Sequence, residues 1–280
     1  MDIKRITFDG LQAVEIATPS ARMVVVTQVG PRIAFWGRPG DENLLYWNNN
    51  DNGREDWRLR GGHRVWVTRP GADEAEEAYA ADNDPCTVEI QADRLVVKGG
   101  IHPVFKIQRG LRIRLLDEAT FEVVSFLTNT GSLLYSGGVW ALTCTNPSGG
   151  KQYGIPLGDR RRIWDIFSLV VPRAWAGHTA RVNDPQIQFN EEFLIVEPQG
   201  VETKRMVQAP LGIMVLTWPA QGLSFIKHSP YHPNGQYPLG CNLAFYIGPD
   251  NFMLEMESCG EEQTLLPGQT IENPETWKLV

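Results

Sequence analysis

The stretch FEVVSFLT, Phe121–Thr128, puts Phe121, Val123 and Ser125 on one side of an extended chain and Glu122, Val124 and Phe126 on the other. Apolar side chains on both sides mean that both are covered, as in a strand inside a large sandwich and unlike one in a small open sheet. Outward from it, the chain is a succession of short β-rich runs bounded by Gly, Pro, Asn and Asp. They are Ala21–Val29, Val65–Thr68, Thr87–Ile90, Arg94–Lys98, Phe105–Ile107, Leu111–Leu116, Val139–Thr145, Phe193–Glu197, Ile213–Trp218, Leu223–Lys227, Asn242–Ile247 and Phe252–Glu257. Helical periodicity is nearly absent, and the acidic, helix-friendly stretch Asp73–Ala81 reads as a loop. More than ten strands at hairpin spacing predict an all-β fold of two packed antiparallel sheets. No glycine-rich linker, composition shift or fixed-period repeat divides the chain, so residues 1–280 read as a single domain.

Composition removes several function classes. A net charge of −7 speaks against nucleic acid, whose binders carry basic surfaces that release phosphate counterions. The longest uncharged apolar runs, such as Leu211–Pro219, fall far short of the ~20 residues of a membrane span, and no charge run offers a membrane patch. No secretion signal is visible at Met1–Gly10, which makes cytoplasm the expected location. Cys86, Cys144, Cys241 and Cys259 are widely spaced with no CxxC pair, so they read as free, mostly buried thiols and not as a zinc site.

The chemistry-bearing residues lie in a few segments. In FMLEMES, Phe252–Ser258, alternation sets Met253, Glu255 and Glu257 on one face, the two carboxylates roughly 7 Å apart. Such a face is either solvated or lines a cleft. In RGGHRVW, Arg60–Trp66, paired glycines permit close backbone approach; beyond them His63 and Val65 share one face, Arg64 and Trp66 the other. Arg64 with Trp66 suits a sugar cleft, because indole faces stack on pyranoses and guanidinium forks bind carboxylates; equally, both belong in a core ion pair and its packing. Arg32 follows a turn in GPRI, where polar groups are often presented. Asp82 and Asn83 either hold sugar hydroxyls or make a turn, and Lys106 and Lys227 are cleft cations or surface lysines. His102 reads as a loop residue. The loop KHSPYHPNGQYP, Lys227–Pro238, carries His228, Tyr231, His232 and Tyr237 in lid-like composition. Its prolines oppose a helix that would bring the two histidines onto one metal, so no metal is expected.

Three groups of segments together resemble the galactose-mutarotase-like superfamily, in particular a bacterial branch with RGGHR-W and LExE…LxPG motifs. They are GPRIAFWG, ENLLYW and RGGHRVW between Gly30 and Trp66; VWALTCTNPSGG, Val139–Gly150; and YPLGCNLAFY, FMLEMES, LLPGQTI and ETWKL between Tyr237 and Leu279. The resemblance implies a β-supersandwich that binds a sugar or oligosaccharide on its concave face, without a cofactor. It implies mutarotase-type epimerisation, with Glu255 as base, Glu257 beside it and Asn242 in the binding set. The histidine-bearing stretches of better-known mutarotases correspond to YAADNDP, Tyr79–Pro85, and to Ala141–Gly150; neither holds a histidine, and Thr143 or Thr145 stands where the second would be. His63 is then the available acid. Were Arg32, Arg64, Lys106 and Lys227 to converge on the Glu255 face, an anionic sugar would be the expected ligand. Two rivals remain: a non-catalytic sugar-binding or sensing protein of the same fold, and a polysaccharide lyase or hydrolase using Tyr237 with His228 or His232.

Overall fold

Period-two alternation gives each long strand a face to bury, and twenty of the strands bury it by joining two ten-stranded antiparallel sheets that pack face to face. The computed structural model describes residues 2–50, 58–71, 76–80, 82–158, 165–171 and 181–280. In the first sheet the order is Asp2–Phe8, Leu11–Ala17, Arg22–Val26, Arg32–Gly37, His63–Val67, Val139–Thr145, Leu254–Cys259, Leu243–Ile247, Thr203–Gln208 and Ser168–Val170. In the second it is Ile187–Phe189, Phe193–Val196, Gln152–Pro156, Ile213–Trp218, Leu223–His228, Thr270–Leu279, Thr120–Asn129, Ile107–Asp117, Arg94–Ile101 and Thr87–Ile90. A ribbon of Tyr135–Gly137 with Gln263–Leu265 sits beside them. Among the described residues there is no α-helix, and one hydrophobic cluster draws on strands of both sheets. At its centre Trp36 meets Phe121, Phe225 and Trp277 edge-on, with ring centroids 5.2 to 6.0 Å apart.

Phe121–Thr128 lies within the strand Thr120–Asn129, and both its faces are covered as expected. Phe121, Val123, Ser125 and Leu127 are buried between the sheets. On the outer side Phe126 lies over Gly110 of the neighbouring strand, where any Cβ would run into its ring. Val139–Thr145 and Ile213–Trp218 are strands with the expected limits.

Other limits differ. Phe105–Ile107 is not a strand: Lys106 takes a positive φ in a turn closed by its N–H on the His102 carbonyl, and pairing starts at Ile107. The glutamate strand starts at Leu254, because Asp250 and Asn251 take positive φ in the preceding turn. Glu76–Ala78 form one 3₁₀ turn, and the rest of the acidic stretch, 73–75 and 81, lies outside the described residues. Two strands that the composition hid are Thr270–Leu279, whose alternate outward positions are mostly polar, and Asp2–Phe8, where Asp2, Lys4, Arg5 and Thr7 are exposed.

At the centre of the first sheet, His63–Val67, Val139–Thr145 and Leu254–Cys259 lie side by side, with Arg64 opposite Leu142, Leu142 opposite Glu257, and Cys144 opposite Glu255. Val65, Val67, Val139, Leu254 and Met256 point into the shared core. Arg64, Trp66, Trp140, Leu142, Cys144, Glu255 and Glu257 therefore point away from the second sheet.

Candidate functional site on the outer face of the first sheet

Two glycines set the register of this face. Gly61 and Gly62 both have positive φ (81° and 73°), and a Cβ on either would collide with a carbonyl oxygen, of Tyr46 and Ile33 respectively. The chain turns tightly here and delivers Arg64 outward. Its Nη2 donates to Glu255 Oε1 at 3.4 Å, and the Cys144 thiol donates to the same oxygen at 3.3 Å. Two residues along the strand, Glu257 Oε2 accepts from Trp140 Nε1 at 2.7 Å and lies 3.2 Å from Lys204 Nζ. The glutamates differ in access: the Glu255 side chain keeps 7% exposure and Glu257 none.

Beside Glu255 stands a group of arginines gathered on one acid. Arg32 Nη2 meets Asp82 Oδ1 at 2.6 Å, while its Nη1 donates to the carbonyls of Leu59 and Gly61 at 2.9 and 3.0 Å. Burial alone would raise the Asp82 carboxyl, but the charges of Arg32, Arg109 and Arg64 and the Arg32 hydrogen bond hold it below the usual carboxylate value. Burial brings Arg32 down to about 10, with Asp82 opposing and Arg64 adding to the fall. Arg109 is also lowered, chiefly by burial. The charge of Glu255 helps to keep Arg64 raised in spite of burial, and burial drives the Cys144 thiol well up, so it stays protonated and donates.

The sequence-derived residues divide into three groups. Arg32, Arg64, Asp82, Glu255 and Glu257 are brought together on or beside this face. Trp66 shares the face but offers no open indole: it is 1% exposed, edge-on to Tyr79 and Trp140 at 4.7 and 5.8 Å, with the Arg64 guanidinium 5.0 Å above its ring. The others are elsewhere.

His63 is the principal correction. It precedes Arg64 and therefore points the opposite way, into the core, where Nδ1 lies 2.9 Å from Thr143 Oγ1 and Nε2 3.1 Å from Ser125 Oγ. With the whole sheet between them, His63 does not act on a substrate held at Glu255. Lys227 also lies in the core, on the second sheet, ion-paired with Glu275 at 3.1 Å. Lys106 is exposed in its turn. Asn242 is fixed to the Ala209 backbone, accepting from its N–H and donating to its carbonyl. Tyr237 packs its ring on Tyr231 and accepts from the His232 N–H, which commits it to its own loop. Thr143 and Thr145 also face inward.

Four participants escaped the sequence reading. Cys144 carried a signal, because counting by twos from Trp140 along Val139–Thr145 sets Cys144, and neither threonine, on the outer face. Lys204 and Tyr246 follow once Leu243–Ile247 is known to pair with the glutamate strand and Thr203–Gln208 to lie one strand beyond; Tyr246 is directly opposite both Glu255 and Lys204. Arg109 belongs to the second sheet and had no local signal. Among the described residues no group of three or more His, Cys, Asp or Glu is placed to hold a metal, and no helix is long and apolar enough to cross a membrane. Cys144, Cys241 and Cys259 are buried free thiols and Cys86 is partly so.

No protein-family model matches this chain, and no curated protein matches its sequence. Solved structures do. A galactose mutarotase-like protein from Lactobacillus casei superposes with a TM-score of 0.65 at 11% identity, covering 96% of this chain and 100% of its own. A galactose mutarotase-like protein from Clostridium acetobutylicum gives 0.62 at 12%, over 100% and 98%. A candidate aldose 1-epimerase from Escherichia coli K12 gives 0.64 at 14%, over 95% and 98%. Likeness along whole chains at such low identity speaks for architecture: this protein has the galactose-mutarotase-like fold.

Proposed function

We propose that the chain binds a sugar on the outer face of the first sheet and interconverts its anomers, with Glu255 as the base. The observation that carries this is the state of Glu255: a nearly buried carboxylate, held by Arg64 and Cys144, that unlike its neighbour Glu257 keeps some access. Mutarotation needs a group that takes the anomeric hydroxyl proton and returns it to the other face after the ring has opened and turned. Glu255 is suited to that work, and Arg64 fixes the direction of its lone pairs. Arg32, Arg64 and Arg109, grouped around Asp82 with Arg64 reaching Glu255, favour an anionic sugar, a uronate or sugar phosphate, over a neutral one. This assignment rests on Arg109 in place of Lys106 and Lys227.

One observation favours the non-catalytic alternative. The histidine expected to protonate the ring oxygen faces the core, so a protein of this fold that only binds sugar accounts for the same geometry. Saturation-transfer NMR with monosaccharides, uronates and sugar phosphates, with anomeric exchange followed in the same tubes, separates the readings. Faster anomer interconversion by the native protein that is lost in Glu255→Gln, with binding retained, supports the epimerase. Binding without acceleration sinks it, and equal binding of a uronate and its neutral parent hexose removes the anionic preference.

A further inference from the structure

The outer face accounts for alternate residues of three central strands. The residues between them form a second buried polar system, inside the core, that the proposed chemistry does not use. Lys227, from the second sheet, donates to the main-chain carbonyl of Met256 at 2.8 Å and to Thr143 Oγ1 at 2.9 Å, and pairs with Glu275 Oε1 at 3.1 Å. Glu275 Oε1 also accepts a short hydrogen bond from Ser258 Oγ, and its Oε2 accepts from Trp277 Nε1 at 2.8 Å. Asn273 Nδ2 donates to Ser258 Oγ at 2.9 Å, and Ser229 Oγ lies 3.0 Å from Asn273 Oδ1. Because an ammonium only donates, Thr143 Oγ1 accepts from Lys227; the same oxygen lies 2.9 Å from His63 Nδ1, and His63 Nε2 lies 3.1 Å from Ser125 Oγ. Lys227 and Glu275 are at most 1% exposed.

A buried ion pair is a poor source of stability, since well-packed apolar residues of the same volume generally do as well or better. Its return is to be sought in what it holds. The groups held are Met256 and Ser258, and on the same strand they alternate with Glu255 and Glu257. A slip of that strand by one residue would turn the glutamates into the core and Met256 and Ser258 out. Hydrophobicity opposes such a slip at Leu254 and Met256, but the inward set ends in the polar Ser258, where hydrogen bonds to Glu275 and Asn273 do the holding.

We propose that the Lys227–Glu275 pair, with Ser258 and Thr143, is a register clamp: it positions Glu255 from behind by fixing its strand to the opposite sheet. Lys227 and Glu275 are positioning residues that never touch the substrate. The inference rests on the reading of Glu255 as the base, but half of its test does not.

The test is the double variant Lys227→Met, Glu275→Leu, which leaves no single charge stranded. Thermal unfolding is expected at the native temperature or above. Hydrogen exchange of the segment 252–259 is expected to quicken at least tenfold relative to Thr120–Asn129, and anomer turnover to fall at least tenfold with sugar binding less affected. A purely structural pair would change melting and leave these two readouts alone. If the melting point holds and exchange in 252–259 is unchanged, the clamp is overturned, whatever the enzyme does. If the native protein never accelerates anomer exchange, the Glu255 reading fails while the exchange result still decides the clamp. Should the double variant not fold, Ser258→Ala and Thr143→Val carry the same measurement, and native exchange in both overturns the proposal.

Discussion

His63 and Arg64 are neighbours in sequence, as are Thr143 with Cys144 and Glu255 with Met256, yet each pair is divided between two separate polar systems by the thickness of one sheet. On the inner side, Lys227, Glu275, Thr143, His63, Ser125 and Ser258 form a buried hydrogen-bonded chain of side chains. On the outer side Arg64 pairs with Glu255, which keeps 7% exposure, and Arg32 pairs with Asp82, which also feels the charge of Arg109 from the second sheet. The difference teaches that polar composition does not mark a site in this fold. Both faces are buried and both are charged, and what separates them is the small exposure that Glu255 keeps.

The largest expected effect separates chemistry from fold. Glu255→Gln keeps size and hydrogen-bonding capacity but not basicity. Turnover should fall by about 10²–10⁴ at temperatures where the variant is still folded, although the melting temperature also drops because the Arg64 guanidinium loses its counter-charge. A variant equally active in the NMR exchange assay would remove the outer face's claim to catalysis.

Next comes the ion pair beneath the outer face. Asp82→Ala strands the buried guanidinium of Arg32, and loss of one partner from such a pair costs about 3–5 kcal/mol in denaturant unfolding. This loss should far exceed that from the double replacement of Lys227 and Glu275, which removes both charges together. Equal losses would mean that the two systems are not different in kind. Smaller again is Gly62→Ala. Its positive φ and the Ile33 carbonyl against the missing Cβ predict a loss of about 1–3 kcal/mol. Sugar affinity should fall further than stability does, because the same turn aims Arg64.

How much of this was open to a reader of the sequence follows from the period of two. Alternation in Phe121–Thr128 and in FMLEMES gave the two-sheet architecture and the common face of Glu255 and Glu257, and alternation in HRVW already separated His63 from Arg64 and Trp66. What alternation cannot give is which side of a strand meets the other sheet. His63 and Glu255 therefore read as partners when a sheet lies between them. Arg32 stands opposite Arg64 on adjacent strands and Arg64 reaches Glu255 across the strand between them, and that pairing is non-local. Arg109 reaches Asp82 from the other sheet, with no sequence pattern to announce it. Lys227 misled for a related reason: a lysine reads as surface or cleft, and only its partner Glu275, far along the chain, makes a core position tolerable.

The smallest effect is also the one that tells the two faces apart by pH alone. Burial, reinforced by the charges of Lys227 and Arg64, holds the His63 imidazole well below its usual value of 6.5. In the folded protein it stays neutral where the unfolded chain takes up a proton, so the unfolded state gains as pH falls. Stability from this group is complete above about pH 6.5 and is lost below it at up to about 1.4 kcal/mol per pH unit. Asp82, whose carboxyl is depressed, gives up its contribution only further down, as pH falls below about 4. His63→Leu should cost about 1–3 kcal/mol at pH 7, since Ser125 loses its partner, and should flatten the stability profile between pH 5 and 6.5. His102, also depressed by burial, keeps part of that slope in the variant. Anomer exchange by the folded variant should remain native, because its histidine never faced the sugar. A His63→Leu protein that is as stable as the native one but slow in turnover would reverse the assignment of the two faces and bring the imidazole back into the chemistry.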